Sequence, residues 1–280
     1  MAPNLSRKQW VLSHLTLMLI LSLVLIQFFQ VHARGLSLSF LDVGQGDAIL
    51  IQTPEFKNIL IDTGPDGKVV EELGHKLNFF NQKIDLFILT HPDLDHYGGI
   101  LDILQKYPVE AIMLTGISSK SQLYQAFLAE MKKQDIQLIF PTADRDWQIS
   151  QGYFLDILYP FSGESLVGLE TKNKNDTSTS LILRDASGTA LILLTGDAEQ
   201  AQERDLLLSG QDLSAPLFKL GHHGSKTSNN QSFLDAIMPK TVIVSAGQDN
   251  KFGHPHPEVM ERVSHLNILD TRNGTISPNF

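Results

Sequence analysis

The first long run of the chain has no polar face. From position 11 to 29 no residue carries a charge at neutral pH, and the stretch matches the roughly twenty apolar residues that a helix needs to span hydrocarbon. Arg7 and Lys8 precede it, and no acidic residue occurs before Asp42. By the positive-inside rule this leaves the N-terminus in the cytoplasm and everything after the run outside. Residues 1–34 are therefore read as a cytoplasmic stub and a transmembrane anchor that meets the membrane over residues 10–31. A cleaved signal peptide is the competing reading, because Val31-His32-Ala33 offers a peptidase small residues; the remainder would then be secreted. The length of the apolar part favours the retained anchor in the cell membrane.

From residue 35 to 280 the pattern changes to short apolar runs alternating with helical periodicity, read as one domain. Residues 36–43 alternate as a half-buried strand, and 48–52 with 57–62 form a hairpin around Thr53-Pro54-Glu55. Residues 69–77 read as helix and 84–90 as a fully buried strand. Helical spacing over 97–107 stops at Pro108. A strand at 111–114, an amphipathic helix at 121–133, and strands at 136–140 and 154–159 follow, before a polar loop over 163–176. The second half repeats this character: a hairpin of 180–184 and 190–195, a helix at 198–208, a strand at 217–220, a helix from Ser228 to 237, a strand at 241–245 and a helix at 257–264. Residues 271–280 look like a closing strand. Two sheets covered by helices are the simplest account.

Net charge is −9, from 22 basic and 31 acidic residues. That argues against a broad electrostatic clamp on nucleic acid, which would be basic, but leaves room for an enzyme gripping one phosphodiester. Cysteine is absent, so a metal here must be held by nitrogen and oxygen.

Chemistry concentrates where apolar runs end. Residues 84–90 lead into His91-Pro92-Asp93-Leu94-Asp95-His96, four metal-competent side chains in six positions. Packed so closely they would repel or compete for protons, whereas a divalent ion accepts neutral imidazole and ionised carboxylate together. Three more strands end alike, at Gly196-Asp197-Ala198-Glu199, Gly221-His222-His223-Gly224-Ser225 and Gly253-His254-Pro255-His256. Asp197 alone could cap a helix; the set together points to a metal site. His14, His32, His75 and His265 lie away from these segments and are read as structural.

The chain resembles the metallo-β-lactamase superfamily, and within it the ComEC-type competence proteins. The likeness rests on Asp42-Val43-Gly44-Gln45-Gly46-Asp47-Ala48, Asp62-Thr63-Gly64, residues 90–99, Asn175-Asp176-Thr177-Ser178, residues 195–199, 221–225 and 253–257. It implies an α/β fold, a four-layer αββα sandwich, here preceded by one transmembrane helix. It also implies metal ligands at His91, Asp93, Asp95, His96, Asp197 and His222. His223 is either the ligand in place of His222 or a catalytic group, since sequence cannot orient adjacent rings. Asp95 is expected to orient water as well as bind metal, and His254 to protonate the leaving oxygen or contact phosphate. Asp93 stands where most superfamily members have His, and the intermediate histidine is missing, sought around Asp176. Oxygen replacing nitrogen moves preference from zinc toward manganese or magnesium, with two divalent ions expected.

The function implied is an exported phosphodiesterase or nuclease acting on DNA, with a competence-type uptake machinery as partner. Alternatives are an acyl hydrolase acting on a lactone, β-lactam or thioester, and a non-catalytic surface protein that binds nucleic acid. Ser225, Lys226 and Lys251 could grip phosphate, though isolated lysines are usually solvated surface. Asp42, Gln45 and Asp47 fit strand-end hydrogen bonding as readily as catalysis.

Overall fold

Strands that are apolar on both faces must be covered on both, and this chain solves the problem by stacking two such sheets between helices. The computed structural model describes residues 6–32, 35–162 and 166–278. Helix α1 (Arg7–His32) comes first; its Arg7–Leu25 portion is long and apolar enough to cross a membrane and is not buried against the rest. Ala33 of the peptidase-like triplet lies outside the described residues, as do 163–165 of the expected loop and 279–280.

The first sheet runs in sequence order through β1 (Ser37–Phe40), β2 (Ile49–Gln52), β3 (Asn58–Ile61), β4 (Leu86–Leu89), β5 (Ala111–Leu114) and β6 (Gln137–Ile139). Helices α2 (Lys68–Lys76), α3 (Leu94–Tyr97), α4 (Ile100–Lys106) and α5 (Gln122–Lys133) are threaded between these strands. Period-two alternation divides the strand side chains. Leu60, Phe87 and Ile112 pack with Leu73, Ile103 and Phe127 of the helices. Ile59, Ile61, Ile88 and Met113 face the other way, toward the second sheet.

The second sheet has the order β13-β12-β11-β10-β9-β8-β7. Its strands are β7 (Trp147–Ser150), β8 (Tyr153–Tyr159), β9 (Ser180–Asp185), β10 (Ala190–Leu194), β11 (Leu217–Lys219), β12 (Thr241–Val244) and β13 (Asn267–Asp270). Leu181, Leu183, Ile192, Leu194 and Ile243 complete the layer between the sheets. Phe218, Leu193 and Val242 turn outward onto α6 (Gln200–Leu208), α7 (Gln231–Ile237) and α8 (Pro257–Arg262), where Leu206, Phe233 and Val259 meet them. The result is the αββα sandwich of the metallo-β-lactamase fold.

Three local expectations are corrected. Helical spacing over 97–107 breaks into α3 and α4, because Gly98 and Gly99 press against the carbonyls of Pro65 and Asp66, closer than any side chain would allow. Strand β7 was not foreseen; its Trp147-Gln148-Ile149-Ser150 is too short and too polar to stand out. The closing strand is Asn267–Asp270, and Thr271 instead opens a 3-10 turn, after which Ile276 bridges to Phe40.

Candidate metal centre

Parallel strands point their C-terminal ends the same way, so residues just past β3, β4, β10, β11 and β12 gather at one rim of the sandwich. There Asp95, His96, Asp197 and His223 converge, with one ligand atom from each lying within 4.8 Å of all the others. His96 Nε2 is 3.2 Å from Asp197 Oδ2, while His223 Nε2 is 3.4 Å from that oxygen and 3.3 Å from Asp95 Oδ2.

The ring orientations are fixed from behind. His96 Nδ1 donates to Asp62 Oδ2 at 2.7 Å, and Asp62 also accepts from the Thr90 amide at 2.8 Å and its hydroxyl at 2.7 Å. His223 Nδ1 donates to the Ser245 carbonyl at 2.8 Å. With Nδ1 committed, each Nε2 is left to present its lone pair to the centre, the carboxylate–imidazole arrangement that orients metal ligands. The Nε2 atoms of His91, His96 and His223, and Asp197 Oδ1, are buried without a hydrogen-bond partner among the described residues. Buried polar groups are normally paired. Converging unpaired imidazole nitrogens around a carboxylate fit a divalent ion.

Backbone strain concentrates here. His222 and His223 have φ of 49° and 55°, and Asp62 has 58°, all in the left-handed region that non-glycine residues avoid at a cost of about 1–3 kcal/mol each. The double left-handed turn sends His223 inward, fully buried, and leaves His222 at the rim. His222 Nε2 lies 3.7 Å from Asp197 Oδ2, and its Nδ1 is 3.2 Å from Glu199 Oε1. Thus His222 stands at the edge of the four-residue group, oriented by Glu199 much as His96 is by Asp62.

The other expected ligands divide. His91 is buried beside His96, ring centroids 4.2 Å apart. Asp93 is partly exposed, 3.8 Å from His91 Nε2 through Oδ2, but its Oδ1 accepts from Lys174 Nζ at 2.8 Å. Asp176, near which the missing histidine was sought, instead accepts from the Glu199 and Gln202 amides at the start of α6. His254 stacks on Phe252 with ring centroids 5.7 Å apart and meets His222 edge to face at 5.2 Å. Asp42 pairs with Lys68 at 3.0 Å and Gln45 accepts from the Gly247 amide, so both hold loops together. Lys226 and Lys251 are exposed, and Ser225 bonds to Thr227.

Lys219 was passed over in the sequence although a lone lysine in a buried apolar run was the signal. Alternation puts it with Leu217 on the face between the sheets, where its ammonium pairs with Asp47, lies 3.6 Å from Asp197 and donates to the Gly196 carbonyl at 3.0 Å. Lys219 and Asp47 are both almost wholly buried. Burial opposes charge on each, yet Asp47 and Asp197 hold the Lys219 pKa up, and Lys219 with His223 holds Asp47 down. Lys219 is the resident cation of the centre.

The same competition sets the imidazoles. Burial alone would lower His96 and His223, but Asp197 acts on both, joined by Asp62 and Asp47 respectively, and lifts their pKa values well above the usual 6.5. His91 is pushed by burial and by His96 down to about 3, against the weaker pull of Asp197, Asp93 and Asp95. Burial, with His222, His223 and His256, lowers His254 to about 4.

The chain belongs to the metallo-beta-lactamase superfamily, whose family profile matches residues 41–248. Within that class its similarity runs to competence proteins. It is 30% identical over 262 residues to ComE operon protein 3 of Bacillus subtilis, covering 86% of this chain and 32% of that protein. Recombination protein 2 of Haemophilus influenzae is 31% identical over 249 residues, covering 88% and 28% respectively. The chain thus spans about a third of the length of these relatives. Among solved structures, the metallo-beta-lactamase fold protein YhfI of Bacillus subtilis superimposes with a TM-score of 0.55 at 12% identity, covering 87% of this chain and 99% of that one. This last likeness speaks for the fold alone.

Two predictions follow from the electrostatics. The carboxylates that raise the His96 and His223 pKa values favour protons on their Nε2 atoms, and an ion would compete with those protons. Binding of manganese should therefore release about two protons, and affinity should rise with pH toward the raised pKa values; calorimetry in buffers of different ionisation enthalpy reads this, and pH-independent affinity would refute it. Lys219→Met strands two buried carboxylates and should cost roughly 3–5 kcal/mol of stability in urea unfolding. Much of that loss should return in the Lys219→Met, Asp47→Asn double variant.

Proposed function

We propose that the chain is an exported, membrane-anchored, metal-dependent phosphodiesterase acting on DNA, with residues 1–34 as anchor and 35–280 as catalytic unit. The observation that carries this reading is the group Asp95, His96, Asp197 and His223, whose inward imidazole nitrogens face the carboxylates of the same group at 3.2–3.4 Å without a hydrogen bond among the described residues. Its relatives, a competence protein and a recombination protein among them, support a role in DNA uptake and a partnership with uptake machinery.

These four residues would hold one divalent ion. His91, Asp93, Asp197 and His222 would hold a second, with Lys174 competing for the Asp93 carboxylate. Asp93, Asp95 and Asp197 make the donor set oxygen-rich, favouring manganese or magnesium over zinc. Divalent ions bound there would supply a water nucleophile near neutral pH and neutralise charge on the transferring phosphoryl group.

The chain's own residues do the rest. Asp95 is kept ionised, lowered to about 2 against burial by His223 and His96, and its carboxylate accepts a proton or orients water. His254 is neutral in the free protein, and an anionic phosphate beside it raises its pKa, so it becomes able to protonate the leaving oxygen once substrate is bound. His222 and Phe252 wall the approach on either side of His254.

The test is cleavage of labelled single- and double-stranded DNA by the manganese-loaded full chain, beside a panel of lactone, β-lactam and thioester substrates. DNA should be cut, Asp95→Ala with His223→Ala should abolish both cutting and manganese retention, and His254→Ala should lower kcat about 10²–10⁴-fold with metal content unchanged. Equal cleavage by wild type and the double variant, or turnover confined to the acyl substrates, would defeat the proposal.

A further inference from the structure

Phe79 and Phe80 are 81% and 82% exposed, adjacent in sequence and packed edge to face with centroids 5.3 Å apart. Single exposed apolar residues are ordinary, but a pair of aromatic rings carried together into solvent marks a contact surface. The turn bearing them is pinned rather than loose. Asn78 and Asn81 bridge across it, and the Phe80 amide donates to Asn78 Oδ1 at 2.8 Å. Asn58 Nδ2 donates to the Lys83 carbonyl at 2.8 Å, and Asn81 Nδ2 donates to the Phe56 carbonyl. The fold therefore holds both rings out on a fixed platform.

Location names what they meet. A cavity of about 770 Å³ is walled by Gly35 and Leu36, just after α1, and by Asn58, Asn78 and Asn81 of the aromatic turn. The turn thus lies at the end of the sandwich where the chain leaves its apolar helix. Strand β3 starts at that cavity with Asn58 and runs away from it to Asp62 beside the metal centre. Strand β1 likewise starts there at Ser37 and leads toward the 42–47 loop.

We propose that Phe79 and Phe80 insert into the interface of the lipid bilayer that α1 crosses, seating the hydrolase unit with its metal centre facing away from the membrane. This rests on the reading of α1 as an anchor. Exposed phenylalanine rings bury themselves at the boundary between headgroups and acyl chains, which is the chemistry this turn offers. Charge is secondary: Lys83 pairs with Asp85 at 3.0 Å and with Glu110, and Lys57 lies 3.5 Å from Asp85, so most of the nearby basic charge is already balanced. An uncharged lipid surface is sufficient. Seated in this way, the rim bearing Asp95 and His223 opens toward water on the side away from the bilayer.

The native chain has no cysteine, so single labels can be placed cleanly on the full protein. Phe80→Cys, Leu19→Cys and Phe252→Cys would each carry a nitroxide in phosphatidylcholine vesicles, with accessibility to oxygen and to a water-soluble nickel chelate read by power saturation. Residue 19 reports insertion of α1, and residue 252, 51% exposed beside the metal centre, reports water. The label at 80 should favour oxygen over nickel several-fold more than the label at 252, approaching the label at 19. Should 19 report bilayer while 80 matches 252, the docking surface is overturned and the anchor stands. With 19 in water, the anchor fails and the docking surface falls with it. Phe80 is almost fully exposed, so its replacement leaves the core untouched.

Discussion

An excess of buried negative charge governs this molecule. Asp47, Asp62 and Asp197 are each almost wholly buried within one rim of the sandwich, and Asp95 joins them from the start of α3. Carboxylates in so little space cannot all stay ionised unless cations answer them. Lys219 answers from the layer between the sheets, and His96 and His223 answer by protonating when no metal is bound. A divalent ion held there would answer better than either proton, because it could satisfy Asp95, Asp197 and both inward nitrogens together. The same imbalance that would destabilise an ordinary core thus suits this rim to a divalent ion.

The scaffold supplies the geometry. Apolar strands buried on both faces are stiff, and their ends fix where Asp62, His91, Asp197 and His223 begin. Local strain finishes the work, since the left-handed turns at Asp62, His222 and His223 aim side chains that a relaxed backbone would point elsewhere. Gly46 makes a related contribution: the Asp95 carbonyl sits where its Cβ would be, which lets the Asp47 loop close over the ligand run. Ser245 Oγ then donates to the Gly46 carbonyl at 2.9 Å, tying the two sheets together at the site.

Much of this was legible in the residues because ligand chemistry is local. His91 to His96 declare themselves by density, and buried strands by runs such as 84–90 and 191–194. Orientation was not legible. Adjacent His222 and His223 are indistinguishable until two left-handed φ values put one inside and one at the rim. Lys219 hid because its partner Asp47 is far away in sequence and meets it only across the two sheets. Lys174 hid for the same reason, as its tie to Asp93 spans 81 positions. Helix 97–107 misled because the Gly98–Gly99 break answers to a long-range contact with Pro65 and Asp66 rather than to local propensity. Strand β7 failed the other way, having too little apolar pattern to be seen without its neighbour β8.

Anomalous diffraction from crystals of the manganese-soaked protein tests the central claim most directly. The account predicts a dominant peak equidistant from Asp95, His96, Asp197 and His223, with any second peak near His91 and His222 weaker and accompanied by movement of Lys174 away from Asp93. A rim free of anomalous density at saturating manganese, with His96 and His223 still bonded to the carboxylates, would contradict it.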